Sequence, residues 1–247
     1  MSQRPFLLPD DPQAPFPPAE LALRQPEGLL AVGGDLSLPR LLNAYRGGIF
    51  PWFSEGEPLL WWSPDPRAVF RTDGVHLSRR FLRSLRDCAW TVRADTCFHR
   101  VIAACAVVRS GQDGTWITAA MQQAYGALHE HGYAHSVEVF DGERLIGGVY
   151  GLAIGKAFFG ESMFSAVSGA SKVALATLAQ VLNGWGFALM DAQVANPHTL
   201  GLGAELWPRQ RFLSCLRPAV DEPFDAGHWR QRFAVRPASA LAHGPDH

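Results

Sequence analysis

Residues 135–164 read HSVEVFDGERLIGGVYGLAIGKAFFGESMF, and this stretch decides the fold class. Its three runs, HSVEVF, RLIGGVYGLAIG and KAFFGESMF, have the composition of strands. The joints between the runs are tight, and the first one, at Asp141 and Gly142, is a hairpin turn signal. The stretch therefore predicts three antiparallel strands that form a meander.

Helical patterns lie on both sides of this meander in the sequence. SGASKVALATLAQVLNG (168–184) predicts a helix that leads to a buried strand, FALMDAQ (187–193), and a helical tail is expected at 202–216. Before the meander, 95–109 and 118–131 predict two further helices. This order of strands and helices around a twisted sheet indicates an α+β fold and is typical of an acyltransferase-like sheet.

The N-terminal part predicts a small separate unit. It begins with a proline-rich stretch, 1–25, in which extended or turn backbone is favoured over helix. A short helix, LPRLLNAYRGG (38–48), ends at two glycines. The prolines of SPDP then mark a seam. We therefore predict a small α/β domain at 1–64 and a larger domain, with a central mixed sheet flanked by helices, at 65–247.

The composition limits the classes of function. The chain has 247 residues, and its 22 Lys+Arg and 23 Asp+Glu give a formal net charge of -1. A protein that holds nucleic acid by bulk charge alone usually has a pI above about 9, so any such contact has to come from a local basic patch. There is no C-x-x-C pair, no apolar signal segment and no apolar run of membrane-spanning length. We therefore expect a cytoplasmic protein with no membrane association.

Polar residues within apolar strands are the first candidates for chemistry. Glu161 interrupts the third strand of the meander, and a buried carboxylate is costly without a partner or a ligand. A structural ion pair is the alternative. Asp191 and Gln193 close the strand FALMDAQ, and alternation along a strand places them on the same face. They indicate a paired acceptor and donor, with ordinary strand-end hydrogen bonding as the alternative.

Aromatic and basic residues form two further patterns. Four tryptophans lie in short polar-flanked stretches: Trp52, Trp61, Trp62 and Trp116. They indicate either core packing or a platform for a ligand. Residues 76–100 carry six arginines, several on one side of a predicted helix, which is either a solvated face or a contact for phosphates.

Other catalytic and metal-binding patterns are not indicated. His129, His131 and His135 straddle a helix end and do not share a face, so the sequence predicts no metal site. The chain has no G-x-S-x-G, Walker A or G-x-G-x-x-G motif. This argues against a serine hydrolase, a P-loop NTPase and a dinucleotide-dependent enzyme.

Six stretches carry a resemblance to a known family. They are PEGLLAVGGDLSLPRLLNAYRGGIFPWFSEGEPLLWWSPDPRAVF, GTWIT, AHSVEVF, GGVYGLAIGKAFFGESMFS, ASKVAL and MDAQ. The chain resembles the leucyl/phenylalanyl-tRNA–protein transferases from about Pro26 to Leu213, and GIFPWF, LWWSPDPR and GESMFS are long and specific. It departs from the usual pattern at Phe140, where the family has Trp, and at Gly201, where it has Ser.

The resemblance implies an enzyme of the bacterial N-degron (N-end rule) pathway. Such an enzyme transfers Leu or Phe, and Met less well, from aminoacyl-tRNA to the α-amine of proteins that begin with Arg or Lys, which marks them for degradation. The larger domain is then similar to the GNAT (acyl-CoA N-acyltransferase-like) fold, and a monomer with no cofactor and no metal is expected. The usual pyrophosphate loop of that fold is replaced by SAVSGAS, so the tRNA 3′ end is expected in place of CoA. A non-catalytic binding module and a CoA-dependent N-acetyltransferase are the alternatives.

The resemblance also suggests roles for individual residues. The expected catalytic residues are Asp191, Gln193 and Glu161. Asp191 is expected to orient Gln193 toward the attacking amine, with the proton lost to Asp191 or water, and Glu161 to hold the donor's ammonium or terminal ribose. The expected walls of a hydrophobic aminoacyl slot are Trp52, Trp116, Val149, Phe158 and Met163. Contacts with tRNA are expected from Arg79, Arg80, Arg83 and Ser162.

Overall fold

Two β-sheets organise the chain in the computed structural model, which describes residues 4–107, 115–224 and 227–243. A sheet of four strands lies within the first 62 residues, and a sheet of eight strands follows from residue 67. Among the described residues, no helix is both long and apolar enough to cross a membrane.

The small sheet is built around one short helix. The elements of this part are β1 (Phe6–Leu7), β2 (Leu29–Val32), α1 (Leu38–Arg46), β3 (Phe50–Pro51) and β4 (Leu60–Trp62). The strand order is β1-β2-β4-β3. The predicted helix is confirmed as α1, with a proline in its first turn. After it, Gly48 has φ +72°, and a Cβ there would lie 2.7 Å from Leu213, so the turn requires glycine.

The large sheet contains the predicted meander at its centre. The elements of this part are β5 (Arg67–Phe70), α2 (Arg79–Leu85), β6 (Thr91–Ala94), α3 (Phe98–Ala106), α4 (Ala119–Glu130), β7 (Ala134–Asp141), β8 (Arg144–Ile154), β9 (Ala157–Ser165), α5 (Ala170–Gly184), β10 (Leu189–Gln193), α6 (Pro197–Gly201), β11 (Glu205–Trp207), α7 (Arg209–Asp221) and β12 (Arg236–Pro237). The strand order is β11-β5-β10-β9-β8-β7-β6-β12. Strands β7, β8 and β9 pair antiparallel, and α5 connects β9 to the parallel neighbour β10. The predicted α+β class with a central mixed sheet flanked by helices is therefore confirmed.

Three local predictions need correction or a limit. The helical tail predicted at 202–216 is wrong in its first half, because Glu205–Trp207 pair with β5 as a strand and the helix begins only after Pro208. Regular alternation at the end of β10 is interrupted, because a bulge shifts the register between Asp191 and Gln193 and gives Gln193 a φ of +60°. The helix predicted at 95–109 is observed as α3, and 108–109 lie outside the described residues.

The two sheets share a hydrophobic core. Phe158 and Phe159, consecutive residues of β9, belong to different clusters of buried side chains, as expected for the two faces of one sheet. The cluster that contains Phe159 also contains Trp61 of the small sheet. The small sheet therefore packs into the same core as one face of the large sheet, and the division into domains 1–64 and 65–247 stays a prediction.

Candidate active site

A cavity of about 920 Å³ is lined by residues of both parts of the chain. The small sheet contributes Phe50 and Pro51 of β3, and strands β8, β9 and β10 contribute much of the rest. Most of the predicted site residues line this cavity: Trp52, Trp116, Val149, Phe158, Glu161, Ser162, Met163, Asp191 and Gln193. The fold thus brings together the expected catalytic residues, the expected apolar walls and Ser162.

Glu161 is the centre of a hydrogen-bond network at the cavity. Its Oε1 lies 2.6 Å from the Tyr45 hydroxyl and accepts from Gln193 Nε2 at 2.8 Å. Its Oε2 lies 3.0 Å from the Tyr125 hydroxyl, and the two tyrosine hydroxyls also contact each other. Tyr45 belongs to α1 and Tyr125 to α4, so this network joins the N-terminal part to the meander.

Burial favours the protonated form of Glu161, and the hydrogen bonds of the network favour its charged form. Burial raises the pKa of the Glu161 carboxyl to about 7, and the charge of Asp191 adds to this effect while the hydrogen bonds oppose it. Burial and the Glu161 charge also raise the pKa of Tyr45 and Tyr125 well above the ordinary value, so both hydroxyls stay protonated.

Asp191 is held by Arg67 in a buried ion pair. Arg67 Nε and Nη2 donate to the two carboxylate oxygens of Asp191 at 2.8 and 2.6 Å, and both side chains are fully buried. The guanidinium lies between the rings of Phe50 and Phe212, 4.8 and 4.6 Å from their centres. Asp191 Oδ1 also accepts from the backbone N–H of Gln193 at 2.8 Å. Asp191 therefore contacts Gln193 through its backbone, and Gln193 contacts Glu161 through its side chain.

Sequence reasoning missed three residues of this network: Arg67, Tyr45 and Tyr125. Arg67 opens the strand RAVF, and a cation at the start of a fully buried strand needs a partner, so this signal was available. Tyr45 and Tyr125 lie in ordinary helical patterns that predict core packing alone. Their hydroxyls contact the Glu161 carboxyl, which lies 116 residues from Tyr45 and 36 residues from Tyr125 in the sequence. No local sequence pattern shows such contacts.

The tryptophans divide between the cavity and the core. Trp61 is fully buried and its Nε1 donates to the Gly33 carbonyl at 2.9 Å, so it is a core residue. Trp52 is 44% exposed and lines the cavity, as does Trp116. Trp62 Nε1 donates to the Trp52 carbonyl at 2.7 Å and thereby holds the turn that presents Trp52.

The Arg-rich helix lies outside the cavity, next to it. Its exposed arginines that were expected to contact tRNA are Arg79, Arg80 and Arg83. They do not line the cavity and form no ion pair within the described residues. Phe81 of the same helix packs against Gly169, where a Cβ would lie 2.5 Å from the Phe81 ring. Gly169 and Lys172 both line the cavity, so α2 adjoins the cavity rim.

One group of side chains in the described part of the chain has the spacing to hold a metal ion. It consists of Asp95, His129 and His228, and it does not line the cavity.

Comparison with known proteins identifies the family. A family model described as leucyl/phenylalanyl-tRNA protein transferase matches residues 69–217, and the model of its N-terminal domain matches 34–65. A leucyl/phenylalanyl-tRNA–protein transferase of Xanthomonas campestris pv. campestris (strain 8004) is 64% identical over 239 residues, 96% of each chain. Proteins of the same name are 66% identical in Xanthomonas axonopodis pv. citri (strain 306), over 96% of each chain, and 64% identical in Xylella fastidiosa (strain M23), over 96% of this chain and 98% of that protein.

Solved structures of other proteins show a looser likeness. L-PGS from Bacillus licheniformis aligns with a TM-score of 0.38 and 12% identity, over 68% of this chain and 54% of that chain. A GCN5-related N-acetyltransferase-like protein from Streptococcus suis 89/1591 aligns with a TM-score of 0.30 and 13% identity, over 71% of this chain and 67% of that chain. The relatives at 64–66% identity and the two family models show that the chain belongs to the leucyl/phenylalanyl-tRNA–protein transferase family.

Proposed function

We propose that this protein transfers Leu or Phe, and Met less efficiently, from aminoacyl-tRNA to the N-terminal α-amine of proteins that begin with Arg or Lys. The observation that carries the proposal is one cavity, in a chain of this family, that combines an apolar wall with the Glu161–Gln193–Asp191 arrangement. The product is a protein marked for degradation through the N-degron pathway. We place the enzyme in the cytoplasm as a monomer that uses no cofactor.

The reaction is the aminolysis of an activated ester. The amine nitrogen attacks the ester carbonyl carbon, a C–N bond forms and the bond from that carbon to the ribose oxygen breaks. The amine loses one proton and the departing ribose oxygen gains one, so no net proton is consumed. Because a free α-amine has a pKa of about 7.7–8.0, a fraction of it is nucleophilic near neutrality. The enzyme therefore has mainly to position the amine and the ester.

Gln193 is the group that positions the amine. Its Nε2 donates to Glu161, which leaves the amide carbonyl oxygen as the acceptor for an amine N–H. A neutral amide is a very poor base, so Gln193 aligns the nucleophile and water carries the proton toward the ribose oxygen. Asp191, with both oxygens on Arg67, acts on this step by fixing the backbone of Gln193.

Glu161 and the apolar wall select and hold the donor. The slot proposed for the side chains of Leu, Phe and Met is walled by five apolar residues that all line the cavity: Trp52, Trp116, Val149, Phe158 and Met163. Glu161 fixes the Gln193 amide and contacts the ammonium or the terminal ribose of the donor. Glu161→Gln is expected to lower turnover or donor affinity, and normal values of both would contradict this role.

We infer that the tRNA body contacts the exposed face of α2. Arginine forks on this helix contact backbone phosphates without reading sequence, and Ser162 contacts the tRNA end inside the cavity. The Lys172 ammonium at the cavity rim adds positive charge between these two places.

The proposal is tested by transfer of labelled Phe from Phe-tRNA to matched peptides. One peptide begins with Arg, one with Asp, and a third carries an acetylated Arg and has no free α-amine. Labelling of the free Arg peptide alone is expected. If no peptide is labelled while Phe-tRNA still binds, the protein is a binding module. If the Arg peptide accepts an acetyl group from acetyl-CoA instead, it is an acetyltransferase, and the proposal is overturned in both cases.

A further inference from the structure

A cluster of histidines outside the cavity surrounds the carboxylate of Asp95. Asp95 follows β6, His129 lies near the end of α4 and His228 precedes β12. One ligand atom from each of these side chains lies within 4.8 Å of the others. The three side chains line an opening of about 510 Å³ together with Arg230 and Gln231. Three distant segments thus bring one carboxylate and two imidazoles to an accessible place.

The carboxylate of Asp95 is fixed by its surroundings. Its Oδ2 accepts from His135 Nδ1 at 2.9 Å and from the backbone N–H of Trp229 at 2.6 Å. Its Oδ1 accepts from the backbone N–H of Ser136 at 2.9 Å and lies 4.0 Å from His129 Nδ1. The φ of Asp95 is +54°, a backbone conformation that costs free energy for residues other than glycine. Oδ1 is therefore the oxygen that can take a further ligand, and outer hydrogen bonds of this kind orient metal-binding carboxylates.

His129 presents a ring nitrogen with a lone pair. Its Nδ1 lies 2.8 Å from the carbonyl oxygen of Ala134, which can only accept, so Nδ1 carries the proton and Nε2 the lone pair. The ring stacks on Phe98 with centroids 4.3 Å apart, which fixes its orientation. The exposed ring of His228 packs against it with centroids 4.7 Å apart. A backbone carbonyl behind the ring is the usual support of a metal-binding histidine.

We propose that Asp95, His129 and His228 bind one divalent transition-metal ion, for which Zn²⁺ is the best match. Two imidazoles and one carboxylate are a ligand set suited to Zn²⁺, which is four-coordinate and completes its shell with water. The ion connects the C-terminal segment that carries His228 to the end of α4. None of the three residues lines the cavity, so this site is independent of the proposed transferase reaction.

The test is metal titration of the full-length protein without a histidine tag. After EDTA treatment and dialysis, Zn²⁺ binding is measured by calorimetry and Co²⁺ binding by visible absorption. The wild type is expected to bind one ion per chain, and His228→Ala to weaken binding by about tenfold or more. His131→Ala is the matched control, because His131 is an exposed histidine at the same helix end and lies outside the cluster. The same concentration of Zn²⁺ is expected to raise the Tm of the wild type more than that of His228→Ala.

The absence of stoichiometric binding to the wild type would overturn the proposal, as would equal affinity in the wild type and His228→Ala. A loss in His131→Ala as large as that in His228→Ala would also overturn it, because binding would then belong to surface histidines in general. A further variant, Arg230→Gln, distinguishes a site that binds a cation from a site that binds an anion. Arg230 puts positive charge beside the ion, so this variant is expected to bind Zn²⁺ at least as tightly as the wild type. Weaker binding would contradict a cation site.

Discussion

At the scale of single residues, the Arg67–Asp191 pair offers a direct test of positioning. Asp191→Asn keeps the shape of the side chain but removes the charge that holds Arg67 and changes the group that receives the Gln193 backbone N–H. We expect kcat for transfer to fall by about 100-fold, because small misplacements of a positioning group have effects of that size. The Kd for aminoacyl-tRNA is expected to change little. Single-turnover transfer and equilibrium donor binding measure the two quantities separately.

The control for this substitution is Asp73→Asn. Asp73 also pairs with both nitrogens of an arginine fork, Arg71, at 2.9 Å for each bond, but both side chains are more than half exposed. Loss of that exposed pair is expected to change stability very little, because solvent screens the two charges, and to leave transfer unchanged. Equal losses of turnover and donor affinity in Asp191→Asn would show that Asp191 supports the whole site rather than the catalytic step. Gln193→Ala tests the same step if Asp191→Asn does not fold.

The raised pKa of Glu161 predicts a pH dependence of stability. The carboxyl has a pKa of about 7 in the folded chain against an ordinary value of 4.5, so the folded state binds this proton more tightly than the unfolded state. The stability it contributes is fully present below about pH 4.5 and is lost as the pH rises through about 7. At about 1.4 kcal/mol for each pKa unit, the loss amounts to roughly 3 kcal/mol.

Urea unfolding of the wild type and of Glu161→Gln measures this effect. The difference in the free energy of unfolding, wild type minus variant, is expected to fall between about pH 4.5 and 7 and then to level off. Burial also raises the pKa of Glu138 to about 7, but Glu138 is present in both proteins and cancels in the difference. A difference that is constant or rises over this range would show that Glu161 is ionised in the folded chain throughout.

At the scale of single elements, α2 predicts a salt-dependent tRNA contact. Arg80→Ala or Arg83→Ala is expected to weaken tRNA binding and to reduce the slope of log K against log salt by about 1, since each removes one phosphate contact. Filter binding across a salt series measures the slope. Arg217→Ala is the control, because Arg217 is an exposed arginine of α7 that pairs with Glu20 at 2.7 Å. A slope that does not change in the α2 variants would show that this face is only solvated.

The periodicity of apolar residues predicts those helices and strands whose neighbouring elements lie close to them in the sequence. The meander, α1 and α5 were predicted because their strand neighbours, turns and apolar stripes are close in the sequence. Strand β11 was missed because its partner, β5, lies more than 130 residues earlier, and an apolar run in front of a helix reads as part of that helix. The bulge in β10 was missed for a similar reason, because only the register with β5 reveals it.

The sequence predicts only part of the candidate site: it indicates residues that line the cavity but not the residues that hold them in position. Glu161, Asp191 and Gln193 are indicated by polar residues in apolar strands, the apolar wall residues are expected on the resemblance to the family, and the fold brings both groups to one cavity. The positioning residues behind them were not expected, since Arg67 meets Asp191 across 124 residues and Tyr45 meets Glu161 across 116. The same holds for Asp95, His129 and His228, whose spacing along the chain contains no metal-binding pattern. Sequence patterns indicate which residues carry unusual chemistry, but the contacts that tune them are set by tertiary packing.

At the scale of the whole molecule, the N-terminal part, which is the small sheet with α1, contributes to the candidate site as well as to the core. This part supplies Tyr45 of α1 to the Glu161 network, Phe50 of β3 to the Arg67 guanidinium and Trp52, which follows β3, to the cavity wall. In return, Arg67 Nη1 donates to the Gly48 carbonyl at 3.1 Å. The cavity therefore exists only when both sheets are folded and packed together, and formation of the site is tied to formation of the fold.

This coupling predicts one cooperative unfolding transition. Three of the eight tryptophans belong to the small sheet or its turn, so fluorescence reports on that part strongly, whereas the eight-stranded sheet and its helices dominate the far-UV signal. The two signals are expected to give the same urea midpoint and the same slope. Tyr45→Phe removes a buried hydroxyl between Glu161 and Tyr125, which is expected to cost about 1–3 kcal/mol and to shift both midpoints together. Separate transitions for the two signals, or a shift in fluorescence alone, would show that the small sheet folds as an independent domain and that the site assembles by docking.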